Sequence, residues 1–228
     1  FEYYNIRLLA AVETSSGFLY ARIVDSKEIN GTEDPEVQQF TGFLQELGHT
    51  DITIQSDQED TIKKLAYLTA ERFHFKEGVK ARTVRVRHAA AHSSNSQGSV
   101  ERAIRLIRDQ IRVMLGAACH KYGVIFKQDS RWPGFLVRHA CWIVNRTMIK
   151  SNGRTRYTDC FKKEHDRKKL YEFLSPVQIG PDVRDEGHTM TLESQQPCGL
   201  YVGRSEQHDS NYVIIINGST RKAHTVRE

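Results

Sequence analysis

Between residues 6 and 87 the apolar residues switch four times between a two-residue and a 3.6-residue spacing, and this alternation constrains the fold more than any other feature. Ile6–Val12 (IRLLAAV) is a short apolar run, and Phe18–Val24 (FLYARIV) is a second one rich in aromatic and β-branched residues. The turn signal Ser15-Ser16-Gly17 lies between them, so the pair predicts a β-hairpin. Thr32–Asp34 before Pro35 offers a helix start with Pro at its first position. Val37, Phe40, Thr41, Phe43, Leu44 and Leu47 then keep helical spacing until Gly48 closes the helix. Asp51–Gln55 alternates as a strand, Thr61–Phe73 carries a helical stripe, and Ala81–Arg87 (ARTVRVR) alternates again. A hairpin followed by helix, strand, helix and strand makes a mixed-sheet α/β core.

Beyond this core, His88–Ser99 is small, polar and aperiodic, which predicts a loop. Two helices follow, over Ser99–Lys121 and Arg131–Thr147. From Leu170 the character changes to short β-like runs, Cys198–Gly203, Tyr212–Ile216 and Ala223–Val226, punctuated by turn residues. The expected organisation is therefore an α/β domain over residues 1–165 and a small all-β C-terminal module over 170–228. At 39% hydrophobic and 27% charged residues, the chain has ordinary globular composition, and its longest apolar tracts are strand-sized rather than membrane-spanning. Phe1-Glu2-Tyr3-Tyr4 lacks the basic start of a secretory signal and reads as the cut end of something longer. Cys119, Cys141, Cys160 and Cys198 form no CxxC pair, which disfavours a zinc ribbon or a disulfide framework and fits a reducing, intracellular setting.

Net charge is only +5, but it is unevenly spread. Asp25–Asp60 holds ten acidic residues and one Lys, whereas Arg146–Lys169 holds nine basic and three acidic. Lys76–His92 and Glu101–Lys121 are basic as well. Basic surface concentrated in this way suits a polyanionic partner; solvated charged faces would give the same pattern.

Two carboxylates carry the candidate chemistry. Asp57 follows the DITIQ strand, at the end of a strand where α/β sheets place ligand-facing groups; a turn or cap role is the alternative. Glu101 is expected in the first turn of the helix whose apolar stripe is Val100, Ala103, Ile104, Ile107, Ile111, Met114 and Leu115. At ~100° per residue, Glu101, Arg105, Arg108 and Arg112 fall on one narrow stripe beside the buried one. A Glu101–Arg105 pair alone is worth a few tenths of a kcal/mol and leaves Arg108 and Arg112 unexplained. Asp57 and Glu101 as oxygen ligands for divalent cations, with the arginines tracking a nucleic-acid backbone, explain more. His88, His92, His120 and His139 are read as loop or core histidines rather than zinc ligands.

At these residues the chain resembles the integrases of retroviruses and LTR retrotransposons. Asn95–Ile104 (NSQGSVERAI) is similar to their SQG-x-x-E helix start, and Ile54–Glu59 (IQSDQE) resembles the strand bearing their second catalytic Asp. Leu9–Ala21 is similar to their second and third strands around an SG turn. His139–Arg146 (HACWIVNR), followed by Gly153–Tyr157 (GRTRY), resembles a W…H…A…NR…GRTPYE stretch of retroelement polyproteins. Leu200–Gly203, Tyr212–Ile214 and Arg221–Arg227 are similar to the small β domain that ends such proteins.

The resemblance implies an RNase H-like mixed sheet flanked by helices, with an Asp, Asp, Glu triad binding two Mg²⁺ or Mn²⁺ ions. Matched by position, Asp57 is the second acid and Glu101 the third, while Gln97 and Arg105 face DNA ends. Implied partners are element-end and target DNA and further copies of the chain, with no membrane and a nuclear setting when acting on DNA. The first Asp has no counterpart in Phe1–Asn5; either Glu2 takes its place or the Asp precedes Phe1 in a longer parent. An N-terminal His/Cys zinc module also has no counterpart. The expected function is metal-dependent DNA end processing and strand transfer. The alternatives are a degenerate nucleic-acid-binding domain and an RNase H-type nuclease.

Overall fold

The computed structural model describes residues 7–24, 28–75, 83–88, 94–123, 132–165, 171–179, 198–204, 211–215, 220–223 and 226–227. The chain divides into two compact units, Phe1–Ile104 and Arg105–Glu228.

In the first unit, β1 (Leu8–Val12) and β2 (Leu19–Ile23) form the expected antiparallel hairpin, Leu8 opposite Ile23 and Val12 opposite Leu19. α1 (Pro35–Leu47) begins where Asp34 caps the Glu36 amide and ends at Gly48, whose φ of 72° is a left-handed conformation that glycine adopts without Cβ strain. Its buried Phe40 and Phe43 meet Tyr20 of β2 at centroid distances of 5.4 and 4.9 Å. Phe18, stacked on Phe43 at 6.3 Å, extends this aromatic core. Such pairs add about 0.5–1.5 kcal/mol each beyond their burial.

β3 (Asp51–Ser56) and β4 (Thr83–His88) pair in parallel, from Asp51 opposite Thr83 to Ser56 opposite His88. α2 (Asp60–Phe75) lies between them in sequence and packs against both strands and against α1, burying Leu65, Ala66, Thr69, Ala70 and Phe73. Antiparallel and parallel pairing thus both occur, as expected, but among the described residues they form two separate two-stranded sheets.

α3 (Ser94–Tyr122) corrects the expected loop, which was to run to Ser99. Ser, Asn and Gln are only moderately unfavourable in helices, and Gly98 costs about 1 kcal/mol. A long periodic helix behind them pays for its nucleus once and propagates back through such residues. Along α3 the predicted stripe is buried at Ala103, Ile107, Ile111 and Met114, and Ala118 extends it.

In the second unit, α4 (Trp132–Arg146) and the short α5 (Arg156–Phe161) precede β5 (Pro176–Ile179), β6 (Cys198–Arg204), β7 (Asn211–Ile215), β8 (Thr220–Ala223) and β9 (Val226–Arg227). α5, capped by the Thr155 hydroxyl on the Thr158 amide, and β5 were not anticipated from the sequence. The strands form one antiparallel sheet in the order β8-β7-β6-β5-β9. The expected single run Ala223–Val226 is instead the end of β8 and the start of β9, which pair at opposite edges of that order.

The sheet packs on α4. His139 and Trp142 lie within ring contact of each other at 6.2 Å, and His139 meets Tyr201 of β6 edge-on at 5.6 Å. Gly203, at φ 128°, passes so close that a Cβ there would lie 3.0 Å from the His139 side chain. Among the described residues no helix is long and apolar enough to cross a membrane.

Candidate functional site

Asp57 lies just past the carboxyl end of β3, where the alternation that buries Ile54 and Ser56 turns its side chain to solvent. Its Oδ1 accepts the Gln58 amide at 2.6 Å, so the carboxylate also shapes the turn into α2. Ser56, 3% exposed, is tied sideways across the sheet: its Oγ is 2.7 Å from His88 Nδ1, and His88 Nε2 is 2.9 Å from the Tyr67 hydroxyl.

Glu101 is exposed on α3 and belongs, like Asp57, to the first unit. Because α3 begins at Ser94, Glu101 stands two turns into the helix rather than in its first turn, and no acidic residue occupies the first turn. Helix-terminus attraction does not reach Glu101 there, since that effect fades within one turn. Gln97 lies in α3, and its side chain falls outside the described residues.

Arg105, Arg108 and Arg112 are exposed along the same helix, as helical spacing requires. Arg112 donates to Asp109 at 2.8 Å, so part of the expected ladder is engaged within the helix. Among the described residues, no three His, Cys, Asp or Glu side chains gather where they could hold a metal ion. Asp57 and Glu101 are nevertheless exposed hard-oxygen donors of the kind that hold Mg²⁺ or Mn²⁺ together with water and phosphate oxygens.

Glu13 takes a different part. Its carboxylate accepts the Ser15 amide at 2.9 Å, the Ser16 amide at 2.7 Å and both serine hydroxyls, closing the hairpin turn. Burial pushes its pKa up, but the bonds from Ser16 and Ser15 outweigh that and bring it down to about 2. A carboxylate committed in this way is a structural clamp.

The HACWIVNR…GRTRY block also gathers as packing. The Arg146 guanidinium lies 5.1 Å from the Trp142 ring and 4.9 Å from the Tyr157 ring, and Arg204 approaches Trp142 at 5.8 Å. Arg146 and Arg204 are 8% and 5% exposed, so these cation–π contacts form inside the unit rather than on a binding face. The sequence reading missed the roles of Glu13 and His88. The ExSS spacing at the turn and the facing ends of the two alternating strands are the signals that could have found them.

No protein-family model matches the chain, and no curated protein matches it. Among solved structures, the catalytic core domain of BIV integrase is 20% identical over 70% of this chain and 89% of that one, with a TM-score of 0.43. A simian T-cell lymphotropic virus intasome in complex with PP2A regulatory subunit B56 gamma is 12% identical over 99% of this chain and 74% of that one, with a TM-score of 0.47. The chain is similar to these retroviral integrase and intasome structures.

Proposed function

We propose that the chain is an integrase-type polynucleotidyl transferase domain of a retroelement, acting on DNA ends with Asp57 and Glu101 as its metal-binding acids. The supporting observation is a pair of exposed carboxylates within one unit: one past the end of a parallel strand, the other on the helix that carries the SNSQGSVER sequence. Asp57 and Glu101 would hold Mg²⁺ or Mn²⁺. Such ions supply activation of a water or 3′-hydroxyl and stabilisation of the leaving oxygen in phosphoryl transfer.

The chain's own residues supply the rest. Arg105 and Arg108 present guanidinium groups to the phosphate backbone, Arg112 divides its charge with Asp109, and Gln97 meets the DNA end. The division into a 1–165 core and a 170–228 module, assembly into multimers and a nuclear place of action belong to the same reading. Glu2, the candidate counterpart of the first acid in this sequence, lies outside the described residues.

The test is nicking and joining of DNA ends by the chain in Mg²⁺ or Mn²⁺. Asp57→Asn and Glu101→Gln should each abolish it, and unchanged activity in either refutes the assignment. A second reading, a degenerate domain that only binds nucleic acid, draws on the lack of a three-ligand cluster among the described residues. It requires DNA binding that ignores EDTA in the presence of an inert active-site pair. In both readings, Ala at 105, 108 and 112 lowers the slope of log affinity against log salt by about 2.

A further inference from the structure

The turn that carries Asp57 is braced from both sides by one side chain that the proposed chemistry does not use. Ser56, immediately before Asp57, is held at 2.7 Å by His88 Nδ1, while Tyr67, in the helix that immediately follows, is held at 2.9 Å by His88 Nε2. The parallel register makes this possible by setting Ser56 opposite His88 as the last pair of the two strands. The Tyr67 and His88 rings meet edge-on at 5.4 Å. Tyr67 is 55% exposed, so burial of its ring does not account for where it sits; its hydroxyl reaching the imidazole does.

The chemistry of the pair suits a brace. A neutral imidazole has one donor and one acceptor nitrogen, and serine and tyrosine hydroxyls each donate or accept. Both contacts are therefore satisfied in either tautomer.

We infer that His88 is a positioning residue: by linking Ser56 at the end of β3 to Tyr67 on α2, it fixes the 57–59 turn and with it the direction of the Asp57 carboxylate. The inference about the turn stands on geometry, and its consequence for metal binding rests on the function proposed above.

The full chain is compared as wild type, His88→Ala, His88→Asn, His88→Gln, Tyr67→Phe and Asp57→Asn. Two measurements are made: amide hydrogen exchange of the peptide covering residues 56–62, and Mn²⁺ affinity by electron paramagnetic resonance. His88→Ala should speed exchange in that peptide roughly tenfold, the scale of one or two lost hydrogen bonds, with the hairpin over residues 8–23 unchanged. Mn²⁺ affinity should fall in step. An Asn amide reaches the position of Nδ1 and a Gln amide that of Nε2, so each keeps one contact and should give an intermediate loss. Tyr67→Phe, at an exposed position, should move both readouts in the same direction without endangering the fold.

Unchanged exchange in both His88→Ala and Tyr67→Phe overturns the brace. So does exchange that rises equally in the hairpin, because the residue is then merely structural. If Asp57→Asn leaves Mn²⁺ affinity at the wild-type value, the metal reading falls, and the exchange data alone decide the brace.

Discussion

Replacing Glu13 by Gln keeps the shape of the side chain and one acceptor oxygen but turns an amide NH₂ toward groups that are themselves donors. The wild-type carboxylate accepts four hydrogen bonds, two from amides and two from hydroxyls of Ser15 and Ser16, and its side chain is 10% exposed. Its pKa moves from 4.5 to about 2 on folding. At 1.36 kcal/mol per unit this sets a ceiling of about 3.4 kcal/mol, and solvent screening at the rim of the turn brings it to about 2 kcal/mol. The sign follows from linkage: a depressed carboxylate pKa gives stability that is complete above the unfolded value of 4.5 and is lost as pH falls through about 2.

The assay is urea unfolding followed by far-ultraviolet circular dichroism, at several values from about pH 7 down to about pH 2.5. With an m-value of about 2–3 kcal/mol/M, Glu13→Gln should lower the midpoint by about 0.7–1 M at neutral pH. That difference should shrink steadily below pH 4.5. A difference that stays constant across the range, or that is under about 0.2 M at neutral pH, refutes the clamp.

His139, whose pKa is pushed down to about 3 by burial and by the nearby charge of Arg204, contributes stability that is complete above its ordinary value of 6.5 and drains away as pH falls toward 3. Ring-carbon NMR shifts that stay neutral at about pH 5 check this, and an imidazolium there contradicts it. Gly203→Ala should destabilise the second unit by about 2–4 kcal/mol, because a methyl 3.0 Å from the buried His139 cannot be relieved and φ 128° disfavours any Cβ. Tryptophan fluorescence through Trp142 reports it, and a cost under about 0.5 kcal/mol counts against the close packing of β6 on α4.

Among the described residues, the elements from β1 to β4 were legible because local rules and tertiary packing agree there. Pro35, Asp34 and Gly48 mark α1 by chemistry that works at short range, and the alternation of DITIQS and TVRVRH survives in the burial of Ile54, Ser56 and Val84. The start of α3 was hidden because a helix of 29 residues overrides the weak preferences of Ser94–Gly98. β8 and β9 merged in the sequence because a two-residue gap gives no hint that the strands pair at opposite edges.

At the candidate site, strand period alone puts Asp57 past the end of β3, and helical period puts Glu101 on α3, but the helix start that sets its turn was not legible. His88 could not be placed, since its role depends on a strand register that pairs residues 56 and 88. Arg146 was legible as charge, but its place between two rings is set by tertiary contacts.

The proposed function requires Asp57 and Glu101 to share divalent cations. A crystal of the chain grown with Mn²⁺, with anomalous scattering recorded, tests it most directly. Anomalous peaks about 2.0–2.3 Å from carboxylate oxygens of both residues are the expected result. Well-ordered Asp57 and Glu101 with their oxygens more than about 12 Å apart, three times the spacing of a two-metal site, would contradict it.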